Sequence, residues 1–300
     1  MSTILKRKNQ DSTLNKRSLG EKIVIGIVFV IFFLYAASLI YPFVWLITNS
    51  LKDGLEYEIH LMAKTPFELP ATPLFSNYIK AFTAFEYNDT NFYGMFFNSI
   101  WYVGISTFNG VFASCLTGYC VSKYKFRLRG VLYGIAIFSM TIPILGTTAA
   151  TFKLVSALNI YDSPLYVVLT TFGGFGFNFL IMYGFFQNIS WSYAEAVFID
   201  GGGHFTVFFK IMLPQAIAPI TTLCLKTAIE HWNAYEAPIL FIPHFPTVSS
   251  GLYFIEKSLS RDSMPLYYAA LFLAALPVLT VFVTFSNKIM QNVSVGGLKG

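Results

Sequence analysis

Long uncharged hydrophobic runs, separated by short polar stretches, dominate this 300-residue chain. A helix needs about 20 mostly apolar residues to cross a bilayer. Five runs without Asp, Glu, Lys or Arg exceed that length, at 23–51, 91–122, 130–152, 163–194 and 263–287. A sixth run, 211–242, is interrupted by Lys226, Glu230 and Glu236. The pattern predicts six membrane spans.

The runs lack the alternation of polar and apolar residues that is typical of membrane β-strands, so we expect helices. The composition, with 55% hydrophobic and 12% charged residues and a mean hydropathy of +0.59, indicates an all-α integral membrane protein. The first run is too long for a signal peptide and follows a polar arm, which favours a retained first helix. We therefore expect a basic arm at 1–20 and a six-helix transmembrane domain at 21–300.

The positions of lysine and arginine next to the spans predict the orientation, because these residues favour the cytoplasmic side. Basic residues precede the first span and occupy the connection between the second and third, namely Lys6, Arg7, Lys8, Lys16, Arg17, Lys22, Lys123, Lys125, Arg127 and Arg129. The connection 52–90 has more acidic than basic residues. Both termini and segment 191–210 are then cytoplasmic. The net charge of +5 follows from this topology and does not require a nucleic-acid partner.

Cysteines and sequence motifs give no indication of an enzyme. Cys115, Cys120 and Cys224 all lie in predicted spans, which favours packing over a disulfide or a metal site. The chain has no phosphate-binding loop, His-Glu-x-x-His or Gly-x-Ser-x-Gly motif. We expect no catalytic residue, metal or cofactor on this chain, and any nucleotide that drives it must bind elsewhere.

Segment 191–219 is a compact polar unit between two hydrophobic runs. Ser192 and Glu195 have the spacing of a capping box, which predicts a helix that starts there. Glycines 201–203 are expected to end it, and Pro214 to begin the fifth span. Residue physics alone leaves two interpretations open, a helix lying on the lipid headgroups and a docking element for a soluble partner.

The spacing within this segment resembles the EAA loop of ABC importer permeases. Glu195-Ala196 is followed by Asp200-Gly201 and then by Ile211-x-Leu213-Pro214. Further segments resemble the maltose-type sugar permeases, namely Asn49 to Lys52, Phe75 to Phe82, Asn98-Ser99, Trp232-Asn233 with Pro238, and the last five residues. The resemblance extends from about residue 20 to the C-terminus.

The resemblance implies that the segment couples this chain to an ATPase. The residues that inherit this role by position are Glu195, Ala196, Asp200, Gly201, Leu213 and Pro214. Asp200 could instead cap the second helix of the segment. Two residues depart from the family pattern, since Val197 and Gly202 stand where alanines are usual.

The resemblance also implies partners and a location. They are a second permease subunit, two ATPase subunits that bind ATP and magnesium, an extracytoplasmic solute-binding protein, and the lipid of a prokaryotic plasma membrane. The expected function is ATP-driven uptake of carbohydrate, and more narrowly of an oligosaccharide, by alternating access. The alternatives are uptake of a phosphorylated polyol or another small polar solute, and a self-sufficient channel or secondary carrier.

Ionisable residues in the fifth span indicate where a solute could pass, because each costs about 2.5–3.5 kcal/mol on insertion scales. Lys226 and Glu230 are four residues apart and share a helix face with Asn233. They could neutralise each other or line a polar path. Trp232 and Tyr235 could contact sugar rings or anchor the chain at the membrane interface. The candidate path residues are Thr147, Asn178, Glu230, His231, Trp232, Asn233, Tyr235 and Glu236.

Overall fold

The chain is mostly helical in the residues that its computed structural model describes, which are 18–65, 67–141 and 146–295, with side chains to 285. The helices are α1 Leu19–Ser50, α2 Gly54–Met62, α3 Ser76–Ala84, α4 Phe92–Lys123, α5 Arg129–Thr141, α6 Thr147–Ala157, α7 Pro164–Thr170, α8 Phe177–Asn188, α9 Ser192–Ile199, α10 His204–Gln215, α11 Ile217–Asn233, α12 Glu236–Phe241, α13 Val248–Ser258 and α14 Met264–Val295. Within α10, Val207–Met212 is a π-helix between His204–Thr206 and Leu213–Gln215. A short hairpin pairs β1 Glu86–Tyr87 with β2 Thr90–Asn91, and a 3₁₀ turn covers Arg261–Ser263.

Three helices in the described ranges are long and apolar enough to cross a membrane, Leu19–Ser50, Phe92–Lys123 and Arg261–Phe285. A fourth is added if α10 and α11, which meet at an angle of 74°, form one bent span. The remaining predicted spans are divided. Run 130–152 contains α5 and the start of α6, with 142–145 outside the described residues, and run 163–194 contains α7 and α8.

Glycines explain the division of run 163–194. Residues 171–176 read Thr-Phe-Gly-Gly-Phe-Gly and form no helix. Gly176 has a φ of +131°, a conformation that is sterically costly for residues with a Cβ atom. Hydropathy does not register this interruption, because glycine and phenylalanine keep the run apolar.

Helix α4 lies at the centre of the bundle and packs against α8 and α11. The approach to α8 is close at Gly118, where an added Cβ would lie 2.9 Å from both Met182 Cβ and the Tyr183 amide nitrogen. An alanine there would push the two helices apart. Glycine at this position is therefore a packing requirement.

Two large apolar clusters hold the ends of the bundle. The first joins α4, α8, α9 and α10 around Tyr119, Phe186 and Phe208, and the second joins α3, α4, α13 and α14 around Phe92 and Met95. The three cysteines are free thiols packed in or against the first cluster. This confirms the packing role that the sequence predicted for them.

Helix α1 stands apart from the bundle over most of its length. Its side chains are exposed from Leu19 to Val44, and only its last residues are buried. Its contacts are chiefly with α14. The first span therefore contributes little to the core of the isolated chain.

Two of the segments that resemble the maltose-type permeases, Asn49 to Lys52 and Phe75 to Phe82, contact each other just after α1. The Asn77 side-chain amide donates to the carbonyl oxygens of Ser50, at 2.9 Å, and Lys52, at 3.0 Å. The Lys52 amine is fully buried and donates to Asn49 Oδ1 at 3.0 Å. Burial lowers the pKa of this amine, because the charged form loses its hydration.

Candidate functional site

The predicted polar unit is present as α9, a glycine turn and α10. Helix α9 begins at Ser192, as the sequence predicted, but the predicted capping box is wrong. The N-cap is Trp191, which already has helical dihedrals and makes no side-chain cap bond. The amide of Ser192 donates instead to Ser190 Oγ at 3.2 Å. Because Ser192 lies inside the helix, its hydroxyl is not at the boundary that a cap requires.

The glycines end α9 as predicted. Gly201 has a φ of +80°, the left-handed conformation that commonly follows a helix. Its amide donates to the Phe198 carbonyl at 3.1 Å, and the Gly202 amide donates to the Val197 carbonyl at 2.8 Å. This pair of bonds is a Schellman motif, which closes the helix and reverses the chain toward α10.

The two departures from the family pattern, Val197 and Gly202, contact each other. A Cβ atom on Gly202 would lie 2.5 Å from Val197 Cγ1 and 3.0 Å from the Val197 carbonyl oxygen. Valine therefore occupies the space that an alanine at 202 would need. The two substitutions compensate each other sterically, and the turn keeps its geometry.

Helix α9 has one buried and one exposed face. Ala194 is fully buried, and Phe198 packs against the first apolar cluster. Glu195, Ala196 and Asp200 are exposed, and Ile199 between them is 85% exposed. An exposed isoleucine beside a small residue and two carboxylates forms a compact surface that a partner could cover.

A dense aromatic base holds α9 to the bundle. Tyr124, at the end of α4, hydrogen-bonds through its hydroxyl to His204 Nδ1 at 2.9 Å and packs against the Trp191 ring. His204 also packs edge-on against Phe198, with ring centroids 5.0 Å apart. These contacts tie α9 to α4 and α10, so a displacement of α9 would be transmitted to both helices.

Two expectations for the second half of the unit are wrong. Asp200 does not cap α10, because the N-cap is Gly203 and makes no side-chain bond. Pro214 does not begin the fifth span. It lies inside α10, and α11 begins at Ile217 beyond the 74° bend. Proline removes an amide donor, and the π-helical turn directly before it widens the helix where the ladder of hydrogen bonds is interrupted.

Farther along the chain, Lys226 and Glu230 pair as one of the two interpretations predicted. Lys226 Nζ lies 2.6 Å from Glu230 Oε1, with 39% and 57% of the two side chains exposed. The ammonium also lies 5.2 Å from the centre of the Phe177 ring, within cation–π range. The pair neutralises itself, yet it stays accessible from one side.

Asn178 lies directly beside this pair. Its side-chain amide donates to Thr227 Oγ1 at 3.2 Å, and Thr227 follows Lys226 in α11. Asn178 Oδ1 is buried and accepts no hydrogen bond from the residues that the structure describes. An unsatisfied buried acceptor costs free energy.

The sequence analysis missed three side chains of α4 that hold the irregular segment 171–176. Asn109 Nδ2 donates to the Val168 carbonyl, Ser114 Oγ to that of Gly173, and Thr117 Oγ1 to that of Gly174, at 3.0, 3.3 and 2.6 Å. Backbone without helical bonds survives at membrane depth only where protein or a water-filled cavity satisfies it. Polar residues inside the second run were the available signal.

The other candidate path residues are dispersed. Trp232 is 9% exposed, and its indole nitrogen donates to the Ala274 carbonyl at 3.0 Å, so it packs between helices. His231 packs edge-on against the Tyr102 ring, and Tyr235 stacks on Tyr253. Glu230 and Asn233 thus lie on one face of α11, and Asn178 bonds to Thr227 beside that face. His231 and Trp232 are turned toward α4 and α14, Tyr235 contacts α13, and Glu236 and Thr147 are exposed. Solute contact by these residues stays a prediction.

Comparison with known proteins identifies the family. The model of a family described as the binding-protein-dependent transport system inner membrane component matches residues 110–294, from the middle of α4 to the end of α14. The chain belongs to this family. It is therefore an inner-membrane component of a transport system that depends on a binding protein.

Proteins of similar sequence match this chain over most of its length. It is 24% identical over 264 residues to the sulfoquinovosyl glycerol transport system permease protein of Agrobacterium fabrum, covering 87% of this chain and 89% of that protein. It is 24% identical over 267 residues to the diacetylchitobiose uptake system permease protein of Streptomyces coelicolor, covering 88% and 85%. The fold also matches a chain in the crystal structure of a bacterial ABC transporter involved in the import of the acidic polysaccharide alginate. That match has a TM-score of 0.74 at 21% identity, and covers 90% of this chain and 98% of the other.

Proposed function

We propose that this chain is the permease subunit of an ATP-driven ABC importer for a carbohydrate, most simply an oligosaccharide. The observation that carries the proposal is the exposed face of α9, with Glu195, Ala196 and Ile199 presented on an aromatic base. The exposed Glu195 carboxylate would be costly inside a membrane, so this face suits a soluble partner. The relatives named above transport carbohydrates, which supports this choice of solute.

The proposal includes six spans with both termini in the cytoplasm. Each divided or bent run then counts as one crossing: 130–152, 163–194, and α10 with α11. The lysine and arginine positions support this orientation. It places α9 on the cytoplasmic side, with the basic arm 1–20, and the connection 52–90 on the outer side.

Four other chains complete the proposed machine. Two ATPase subunits bind ATP and magnesium, one of them contacting α9, and a second permease subunit closes the solute path. A solute-binding protein delivers solute to the outer face. Closure of the ATPases would push α9, and its ties to α4 and α10 would convert that push into tilting of the bundle.

A photocrosslinking experiment in the assembled importer tests the coupling role. The photoreactive amino acid benzoylphenylalanine replaces Ile199 in one variant and Ile79 in another. These isoleucines are 85% and 77% exposed, and the proposed topology places them on opposite sides of the membrane. We expect the residue at 199 to crosslink to the ATPase subunit and the residue at 79 not to do so.

The reverse pattern would contradict both the topology and the coupling role. Absence of an ATPase crosslink from position 199, in a preparation that hydrolyses ATP and takes up solute, would contradict the coupling role alone. Uptake by liposomes that contain only this chain would instead support a self-sufficient carrier.

A further inference from the structure

One face of α11 is polar along two helical turns. Lys226, Glu230 and Asn233 follow each other at intervals of four and three residues, so they project from the same side. Lys226 and Glu230 are both partly exposed. A charged pair facing lipid would be costly even when paired, so this face meets water or protein.

The irregular segment 171–176 ends next to this face of α11. Its end is continuous with Phe177 and Asn178, which contact Lys226 and Thr227. Non-helical backbone and a charged pair are each tolerated at membrane depth only beside protein or a hydrated cavity. Both observations therefore point to the same surface, which we name the α11 polar site and define as Phe177, Asn178, Lys226, Glu230 and Asn233.

The positive and negative charges of the α11 polar site balance each other. Lys226 is the only lysine or arginine in residues 217–241. Its Nζ lies 2.6 Å from Glu230 Oε1. The Phe177 ring stabilises the Lys226 ammonium in this position through a cation–π contact. The next ionisable residue beyond Asn233 is Glu236, which is exposed. The site thus presents no excess positive charge to a solute.

We propose that the Lys226–Glu230 pair selects the charge of the solute, so that the α11 polar site accepts an uncharged saccharide and rejects one that carries carboxylates. This proposal rests on the proposed function and specifies its solute. Hydroxyl groups can hydrogen-bond to the exposed Asn233 side chain, and the exposed Phe177 ring can face the C–H groups of a sugar. A carboxylate would have to open the ion pair and would be repelled by Glu230.

The relatives do not decide this point, because their solutes differ in charge. The alginate importer with the same fold carries an acidic polysaccharide, while diacetylchitobiose bears no ionised group. Charge selection must therefore come from individual residues. In this chain the pair in α11 is positioned to supply it.

Direct binding to the permease tests the proposal without interference from the binding protein. The complete importer, with its second permease subunit and its ATPase subunits but without the binding protein, is reconstituted in lipid nanodiscs. It is titrated with maltotriose, which is neutral, or with trigalacturonate, which carries three carboxylates. Saturation-transfer NMR gives the dissociation constants. We expect the native protein to bind maltotriose and to bind trigalacturonate at least about tenfold more weakly.

Three variants then locate the effect. Glu230→Gln frees the lysine and is expected to improve trigalacturonate binding, relative to maltotriose, by about tenfold. The double variant with Lys226→Gln and Glu230→Gln removes both charges and should not show this gain. The exchanged pair, Lys226→Glu with Glu230→Lys, keeps a neutral site and should retain the native preference.

Equal affinity of the native protein for the two trisaccharides would overturn the proposal, and this measurement needs no substitution. An unchanged preference in a correctly assembled Glu230→Gln variant would also overturn it. Absence of binding by either trisaccharide would overturn it as well. In each case, ATP-driven uptake by proteoliposomes that contain the complete importer, with its ATPase subunits and its binding protein, would leave the permease function standing.

Discussion

The exposed face of α9 and the α11 polar site are both polar surfaces in an apolar chain, yet they are built in opposite ways. On α9 the side chains that matter are small or exposed, and rigidity comes from the aromatic base beneath them. In the α11 polar site the side chains hold each other, through the Lys226–Glu230 pair and the Asn178–Thr227 hydrogen bond. The first surface is complete before a partner arrives, whereas at the second a charged solute would have to break bonds that already exist.

The largest effect is expected from a charge on the exposed face of α9. Ile199→Arg would place a long cationic side chain where the partner should approach. We expect ATP-driven uptake to fall by about 30-fold or more, which corresponds to the loss of one strong interface contact. Uptake and ATP hydrolysis are measured together in proteoliposomes.

Ile79→Arg is the matched control, since it changes an equally exposed isoleucine outside α9. It should leave co-purification with the ATPase subunit unchanged, whereas Ile199→Arg should reduce it. If both variants keep the ATPase bound and uptake coupled to hydrolysis, α9 does not serve as the contact surface.

A smaller effect is expected in the α11 polar site when one charge is removed. Lys226→Met leaves Glu230 without its partner at membrane depth. We expect a loss of about 2 kcal/mol in the free energy of unfolding, less than the full insertion cost because both side chains are partly exposed. Denaturation in detergent, followed by tryptophan fluorescence, measures the loss.

The double variant with Lys226→Met and Glu230→Gln should recover most of that stability, because no unpaired charge remains. A double variant that is as unstable as Lys226→Met would mean that the lysine acts through its contact with Phe177. The comparison between the two surfaces would then need revision, since the pair would not hold the site together.

The smallest effect concerns the turn that ends α9. Gly202→Ala should destabilise the protein by about 1 kcal/mol, because its Cβ would meet the Val197 side chain and carbonyl. Val197→Ala in the same chain should relieve the side-chain clash and restore much of the loss. A double-mutant cycle of unfolding free energies measures the coupling, and additive effects of the two changes would contradict steric compensation.

The sequence predicted features that depend on the spacing of residues along the chain and on the free-energy cost of placing a charge in a span. The start and glycine end of α9 followed from the positions of Ser192 and Gly201, and the pairing of Lys226 with Glu230 followed from their four-residue interval. The prediction of a capping box was wrong because Trp191 already has helical dihedrals, and a sequence motif cannot reveal this backbone property. The prediction that a helix begins at Pro214 was wrong because α10 continues through this residue after a π-helical turn.

Contacts between distant segments were beyond sequence reasoning. Asn109, Ser114 and Thr117 looked like ordinary residues of a span until the structure showed them bound to the carbonyls of segment 168–174. Trp232 was chosen for its ring chemistry, yet its indole nitrogen bonds to α14. A single sequence shows which residues are polar or aromatic, but not what lies opposite them.

The segment between α7 and α8 has a consequence for the way the protein is made. Helices of seven and twelve residues are each too short to partition into a bilayer alone. The α4 side chains that complete the segment precede it in the chain, so they have left the ribosome before it emerges. The protein can then fold in the order of synthesis, with α4 already in place before α7 and α8 pack against it.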